Sequence, residues 1–169
     1  MNSCEFIKHL FVSYCHKNKS IVHKIADELH LLKYELWIDK NLFGGNKLYT
    51  EIEKGIRASH VFICFISKDY CESDNCVKEL SFAHENRKKI LPIMLDRDMC
   101  NGVGFLISNL LRFNSYRAPD AFNPWSNEHF ERLVHTIFDA LTEVCINCSK
   151  SLKAAKSSNE NVYINFSFM

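Results

Sequence analysis

The stretch SKDYCESDNCVKELSFA, Ser67–Ala83, is the part of the sequence around which the predicted fold is built. It follows directly after the apolar run Val61–Ile66, VFICFI. That run shows no alternation of apolar and polar residues, so both of its faces are expected to be buried, as in a central parallel strand. Helical spacing begins near Cys76, and Glu79 follows about one turn later. In open α/β sheets, ligands bind at loops that connect a buried strand to the next helix.

Two patterns of apolar residues alternate along the rest of the chain, one typical of strands and one typical of helices. Runs rich in β-branched and aromatic residues predict strands at His9–Tyr14, Tyr34–Asp39, Val61–Ile66, Ile90–Leu95 and Leu110–Phe113. Apolar residues at helical spacing predict helices over Ile21–Lys33, Leu48–Ala58, Cys76–Asn86 and Ser126–Val144. The predicted fold is therefore α/β and flavodoxin-like. It has an open five-stranded parallel sheet in the order 2-1-3-4-5, with helices on both faces.

Two segments fit this pattern less simply. Pro92 lies inside the fourth predicted strand, and a proline cannot donate a hydrogen bond to a neighbouring strand. We therefore expect it at the start of that strand or near the sheet edge. Asp96–Ser108 is predicted to be irregular, or at most to form a short helix.

The composition restricts the class of protein. Of the 169 residues, 47% are apolar, which is enough for a packed core. We expect one domain over residues 1–146 and a polar, flexible tail over residues 147–169. The formal net charge of +1 gives no argument for nucleic acid as a partner. No apolar run approaches the roughly 20 residues that span a bilayer, and no signal peptide is recognisable, so a cytoplasmic protein is expected.

Eight cysteines are scattered along the chain, several of them in apolar segments. Without a secretory signal they are expected to be reduced thiols. Cys145 and Cys148 form a lone CxxC pair, which lacks the second pair of ligands that a zinc site needs. We therefore expect no metal site.

The predicted topology also indicates where a ligand would bind. In the order 2-1-3-4-5 the switch point lies between the first and third strands. The loops that follow those strands are Cys15–Ser20 and Ser67–Asp74, and they should face each other across a crevice. Glu79, early in the helix after the third strand, would then lie at the wall of that crevice.

Three blocks of sequence carry a common pattern when they are taken together. They are His9–Tyr14 (HLFVSY), Asp39–Ser59 (DKNLFGGNKLYTEIEKGIRAS) and Ser67–Leu80 (SKDYCESDNCVKEL). In this order they resemble the DxFISY, DxxLxxGxxIxxxLxxAIxxS and SxxYxxSxWCxxEL motifs of the Toll/interleukin-1 receptor (TIR) domain family. With Pro92 and the Asn-Pro-Trp sequence at positions 123–125, the resemblance spans about residues 7–145.

The resemblance implies two kinds of function. Many TIR domains are signalling adaptors that act through TIR–TIR assembly, and others hydrolyse or cyclise NAD⁺ and release nicotinamide. Lys40–Lys47 resembles the family's assembly loop. The candidate assembly residues are Asp39, Asn41, Gly44 and Gly45. This loop lacks the Arg-Asp and Pro-Gly of receptor-type domains and is closer to the LxxG form of the NAD-cleaving type.

Two positions differ from the family pattern. His9 replaces the usual aspartate of the first strand. Asn75 replaces a tryptophan four residues before Glu79. Residues at that spacing share one face of a helix, so the asparagine would leave a more open or more polar wall beside the acid.

Glu79 is the candidate catalytic residue, and the chemistry of NAD⁺ cleavage explains why one carboxylate suffices. Ordinary glycosidases use two, because the leaving alkoxide must be protonated. Nicotinamide leaves NAD⁺ as a neutral pyridine, so no general acid is required. One carboxylate can stabilise the oxocarbenium-like ribose and accept hydrogen bonds from its hydroxyls. NAD⁺ is then the substrate, and no cofactor or metal is expected. The alternative is an exposed helix glutamate without a role.

Further candidate residues surround Glu79 in the predicted topology. The candidates for substrate binding are Ser13 and Tyr14 at the end of the first strand, Leu42 and Phe43 in the assembly loop, and Cys76 in the helix. Each has a structural alternative. Ser13 and Tyr14 would simply pack in the strand, Phe43 would be a core or assembly contact, and Cys76 would be a buried, inert thiol.

The favoured hypothesis is a TIR signalling protein that cleaves NAD⁺ with Glu79 and is activated by TIR–TIR self-association. The alternative is a non-catalytic adaptor that binds other TIR domains, of its own kind or of another. The LxxG loop favours the first, and Asn75 favours the second. A phosphorelay receiver domain is disfavoured, because Tyr14-Cys15-His16 and Ile66-Ser67 lack the acids that it requires.

Overall fold

The computed structural model describes residues 9–38, 46–97, 101–117 and 127–144. One sheet of five parallel strands lies at its centre, in the order β2-β1-β3-β4-β5. The strands are β1 (His9–Tyr14), β2 (Glu35–Trp37), β3 (Val61–Ile66), β4 (Lys89–Met94) and β5 (Phe113–Asn114). The predicted flavodoxin-like fold and its strand order are confirmed.

Helices cover both faces of this sheet. They are α1 (Lys19–Leu31), α2 (Asn46–Ala58), α3 (Lys68–Cys71), α4 (Asp74–Glu85), α5 (Asn101–Ile107) and α6 (Asn127–Val144). Short 3₁₀ turns follow β1 at His16–Asn18 and β5 at Ser115–Arg117. The short helix α3 has no counterpart among the predicted helices. The last strand begins at Phe113 and not at Leu110 as predicted.

Strand β3 lies at the centre of the core, because all of its side chains are buried. Successive side chains of a strand point to opposite faces of the sheet. On one face Val61, Ile63 and Phe65 pack with residues of α1 and α6. Phe62, Cys64 and Ile66 form the other face, with residues of α2, α3, α4 and α5. Burial on both faces is the reason why this strand shows no alternation in the sequence.

Pro92 lies in the middle of β4, the strand next to the sheet edge, and not at its start. It pairs in register with Cys64 of β3, whereas β5 pairs with β4 only at Ile93 and Met94. The N–H of Leu95 donates to the carbonyl of Ile66 at 2.8 Å, so this nitrogen faces β3. Alternate residues of a parallel strand direct their N–H groups to opposite sides. The proline nitrogen therefore faces the outer side, where no described strand lies beside it.

Trp37 of β2 fixes the distance between the sheet and α2. Its indole ring stacks on the ring of Phe11 with centroids 5.7 Å apart. Helix α2 approaches the same indole at Gly55, where an added Cβ would lie 2.6 Å from the ring. Glycine is thus what permits the helix to pack this close.

Helices α1 and α4 end in the same way before the strands that follow them. Lys33 and Arg87 adopt φ values of 66° and 53°, in the left-handed region. The next N–H groups donate back to the helix, from Tyr34 to Leu29 and from Lys88 to Ala83, both at 3.0 Å. This is the Schellman motif, formed here without glycine.

The cysteines differ in part from the expectation of reduced thiols. Cys15, Cys64 and Cys76 are free, but Cys71 is disulfide-bonded. The lone pair Cys145 and Cys148 lies outside the described residues, as does the predicted boundary between domain and tail. In the part of the chain that the structure describes, no helix is both long and apolar enough to cross a bilayer.

Candidate active site

The turns that follow β1 and β3 lie side by side at the carboxyl edge of the sheet. Lys17 Nζ lies 2.5 Å from Asp69 Oδ1, which links the first turn to α3. Ser67 Oγ donates to Asn18 Oδ1 at 2.7 Å and makes a second link. The hydrogen bond and charge of Asp69 raise the pKa of the exposed Lys17. The two sides of the predicted crevice are thus in direct contact at this point.

Two serines determine where the helices after β3 begin. Ser67 Oγ accepts the N–H of Tyr70 at 3.1 Å and caps α3. Ser73 Oγ accepts the N–H of Cys76 at 3.5 Å and caps α4. Because the chain makes one short helix and then starts another, Tyr70 enters the core while Glu79 lies beside the end of β1.

The carboxylate of Glu79 lies against Ser13 of β1. Ser13 Oγ donates a hydrogen bond to Glu79 Oε2 at 2.6 Å. The serine is 1% exposed, whereas Glu79 is partly exposed. The carboxylate is therefore held from the sheet side, on a residue that is partly exposed. The structure brings these two predicted site residues together.

Tyr70 lies beneath this pair and is fully buried. Its Oη is 2.9 Å from Ser13 Oγ and also donates to the carbonyl of Cys76 at 3.2 Å. Burial is the main reason why the pKa of Tyr70 lies well above its ordinary value, and the charge of Glu79 adds to the effect. The phenol therefore keeps its proton at neutral pH.

Tyr70 was not among the predicted site residues, although the sequence carries a signal for it. The spacing Ser67-x-x-Tyr70 repeats as Ser73-x-x-Cys76. In a helix cap, the side-chain oxygen of a serine accepts the backbone N–H of the residue three positions later, which is the spacing seen here. Two such caps in succession predict a short helix, and hence α3.

Two of the thiols near Glu79, those of Cys64 and Cys76, are buried. Cys76 is buried, and its pKa is raised to about 11, mainly by burial. Burial raises the pKa of the fully buried Cys64 further still. Both thiols therefore stay protonated at neutral pH, so neither is a nucleophile of the kind that covalent catalysis uses.

The remaining predicted residues lie elsewhere. Tyr14 follows Ser13 in β1 and points to the opposite face of the sheet, where its Oη is 2.8 Å from His23 Nε2. Leu42 and Phe43 lie outside the described residues. The same holds for the candidate assembly residues Asp39, Asn41, Gly44 and Gly45. Their roles stay predictions.

Asn75, which stands where the family pattern has tryptophan, is exposed on α4. The hydroxyl of Tyr49, on the neighbouring helix α2, donates to Asn75 Oδ1 at 3.4 Å. An aromatic side chain thus lies next to this position although the tryptophan is absent. Within the described ranges, no cluster of three or more potential metal ligands occurs.

The sequence matches the family described as TIR domain over residues 10–134. The chain belongs to the TIR family. In structure, this TIR domain is similar to that of the Toll-related receptor TRR-2 from Hydra magnipapillata. The two share 13% identity at a TM-score of 0.61, over 80% of this chain and 98% of the other. At this identity the likeness shows the fold alone.

Two curated relatives are similar in sequence. The "Probable 2' cyclic ADP-D-ribose synthase BdTIR" of Brachypodium distachyon is 38% identical over 52 residues, which are 31% of this chain and 23% of the relative. The "NAD(+) hydrolase TcpA" of Theionarchaea archaeon (strain DG-70-1) is 28% identical over 119 residues. That match covers 66% of this chain and 36% of the relative. The TIR domain thus spans well under half the length of either relative.

Proposed function

We propose that this TIR domain cleaves NAD⁺ between nicotinamide and ribose, with Glu79 as the catalytic carboxylate. The observation that supports this proposal most strongly is the position of Glu79 at the switch point. There it accepts a 2.6 Å hydrogen bond from the buried Ser13 and remains partly exposed. Open α/β sheets bind their ligands at this place.

The proposed reaction needs one negative charge and no proton donor. The bond from ribose C1′ to the nicotinamide nitrogen breaks, and its electron pair leaves with neutral nicotinamide. The carboxylate of Glu79 stabilises the cation that develops on the ribose. Water then adds to C1′ and loses a proton, which gives ADP-ribose, or a nucleophile of the same molecule closes a ring.

The names of the two relatives agree with this proposal, since one is named an NAD(+) hydrolase and the other a probable 2' cyclic ADP-D-ribose synthase. The buried thiols of Cys64 and Cys76 stay protonated, which argues against either of them as a thiolate nucleophile.

Substitution of the acid tests the proposal directly. Glu79→Gln keeps the size of the side chain and removes its charge, so the rate of nicotinamide release from NAD⁺ should fall by about 100-fold or more. Glu85→Gln is the matched control, because Glu85 is exposed near the far end of the same helix. Released nicotinamide is measured by chromatography over a range of protein concentrations.

The control variant Glu85→Gln should release nicotinamide at the rate of the unchanged protein. Equal rates for Glu79→Gln and the unchanged protein would overturn the role of Glu79. No release at any concentration, while the protein still binds other TIR domains, would overturn the enzymatic function altogether.

We also propose that self-association activates this site. The resemblance of Lys40–Lys47 to an assembly loop supports this part of the proposal. The specific rate of nicotinamide release should then rise with protein concentration, in parallel with the assembled fraction from sedimentation velocity. A constant specific rate across that range would contradict it.

A non-catalytic adaptor is the second candidate function. Asn75 favours it, since the exposed asparagine replaces the tryptophan of the family pattern one turn before Glu79. Under this alternative, TIR–TIR binding is unaffected by Glu79→Gln and no nicotinamide is released.

A further inference from the structure

We propose that Tyr70 is a positioning residue for Glu79, acting through Ser13 to orient the carboxylate and to stabilise its ionised form. Only the activity readout of this inference rests on the proposed function. Its central measurement is the protonation of Glu79 itself, which does not require turnover.

The three side chains form a continuous line of hydrogen-bonding atoms from the core to the crevice. Tyr70 Oη lies 2.9 Å from Ser13 Oγ, and Ser13 Oγ lies 2.6 Å from Glu79 Oε2. Tyr70 is fully buried and Ser13 is 1% exposed, so water does not replace either partner. Three different elements, α3, β1 and α4, supply the three groups.

The direction of donation along this line follows from the number of hydrogens. Ser13 has a single hydroxyl hydrogen, and it donates this hydrogen to the carboxylate. Its oxygen can therefore only accept from Tyr70, which keeps its own proton because burial raises the pKa of the phenol. The single hydrogen of Tyr70 is shared between Ser13 Oγ at 2.9 Å and the carbonyl of Cys76 at 3.2 Å. A donor that is itself hydrogen-bonded is polarised and binds a charged acceptor more strongly.

The carbonyl of Cys76 gives Tyr70 a second acceptor at 3.2 Å. If Glu79 becomes protonated, it donates to Ser13, Ser13 donates to Tyr70, and Tyr70 donates to this carbonyl. Every hydroxyl thus has a partner in both states. The ionised state depends more strongly on Tyr70, because a hydrogen bond to a charged group is about twice as strong as a neutral one.

Besides Glu79, the titratable groups that act electrostatically on Tyr70 or on Cys76 are thiols of the described residues. They are the thiols of Cys15 after β1, Cys64 in β3 and Cys76 on α4. Burial raises the pKa of Cys64 and of Cys76, so neither adds a charge at neutral pH. On the exposed side of α4, Tyr49 of α2 adjoins Asn75, and the asparagine does not titrate.

The central test is a titration of the Glu79 carboxyl carbon by NMR, with its signal assigned from the Glu79→Gln variant. Tyr70→Phe removes only the donor, so the carboxylate should gain its proton at a pH higher by about half to one unit. Ser13→Ala should produce a shift at least as large. Tyr34→Phe is the matched control, since it removes a buried phenol from the opposite face of the sheet and should produce no shift.

The double variant Ser13→Ala/Tyr70→Phe tests whether the tyrosine acts through the serine. It should show the same titration as Ser13→Ala alone, because the link is already broken. Additive shifts would overturn the inference, and so would an unshifted titration in Tyr70→Phe. A purely structural role for Tyr70 would lower the melting temperature and leave the titration of Glu79 unchanged.

Activity gives a second readout if the domain turns over NAD⁺. The acid limb of the pH profile for nicotinamide release should move upward in Tyr70→Phe by the same amount as the NMR titration. Absence of nicotinamide release from the unchanged protein would contradict the proposed function and leave the titration as the test of this inference.

Discussion

Lys88 is a residue outside the candidate site whose single side chain contributes to the stability of the fold. Its Nζ donates to the carbonyl of Arg57 and, at 2.8 Å, to the carbonyl of Ser59, where α2 ends. The last carbonyls of a helix have no partner within the helix, and they carry partial negative charge. Burial, followed by the charge of Arg57, lowers the pKa of Lys88. The ammonium therefore stabilises the end of α2 from a position after α4.

Lys88→Met keeps most of the aliphatic chain and removes both hydrogen bonds. It should lower the free energy of unfolding by about 1–2 kcal/mol, measured by urea denaturation. Lys24→Met is the matched control on the exposed face of α1 and should change stability by less than about 0.5 kcal/mol. Equal losses in the two variants would contradict this account of Lys88.

Among the residues of the candidate site, some can be predicted from the sequence and one cannot. The sequence predicts both Glu79 and Ser13, because ligands of an open α/β sheet bind at its switch point, and both residues are expected there. Tyr70 is not predicted, because its hydroxyl reaches Ser13 only through the short helix α3. A contact between side chains that lie 57 positions apart depends on packing, which no local pattern encodes.

Among the elements, α2 and β2 illustrate a packing contact that depends on the absence of a side chain. Gly55 lies in the interior of α2, where glycine costs about 1 kcal/mol of helix stability relative to alanine. The helix tolerates this cost because Trp37 occupies the space that a Cβ would need.

Gly55→Ala should therefore destabilise the domain by about 1–2 kcal/mol, because the overlap with the indole outweighs the gain in helix propensity. Gly102→Ala in α5 is the matched comparison, since no atom of the described residues lies within 4 Å of its added Cβ. That change should stabilise by up to about 1 kcal/mol. Thermal unfolding of both variants measures the difference, and a loss in both would show that the indole is not the cause.

A clear apolar pattern in the sequence explains which elements are predicted well. β1 and β3 have the predicted bounds, because β3 is a continuous apolar run and β1 is mostly apolar and rich in residues that favour strands. β5 begins later than predicted and has only two residues, Phe113 and Asn114. Its place in the sheet comes from its pairing with Ile93 and Met94, and not from its own composition. Tertiary contacts override local propensity in such short elements.

For the molecule as a whole, two histidines couple stability to pH. The ring of His60 stacks on that of His9 at 5.7 Å, and the ring of His129 packs on Phe113 at 4.8 Å. Burial is the main reason why the pKa of both His60 and His129 lies below the ordinary value of 6.5. The unfolded chain therefore takes up protons near this pH that the folded domain does not.

The contribution of these histidines to the free energy of unfolding is complete when the pH is above their ordinary pKa. It decreases as the pH falls toward their lowered pKa values in the folded domain. The free energy of unfolding should thus decline below about pH 6.5, before most carboxylates titrate. The variant His60→Asn/His129→Leu should show a flatter decline below about pH 6.5 in urea titrations. The exposed His30→Asn serves as the control, and an equal flattening there would contradict the assignment.

Pro92 has a consequence for the behaviour of the protein in solution. The segment Ile90–Met94, ILPIM, is apolar and would favour cross-β aggregation if it were exposed as a free edge. β5 covers only the last part of β4, so the outer side of Leu91 and Pro92 has no partner among the described strands. The proline nitrogen faces that side and carries no hydrogen. An incoming strand from another molecule would therefore lack a donor there, which protects the domain against edge-to-edge association.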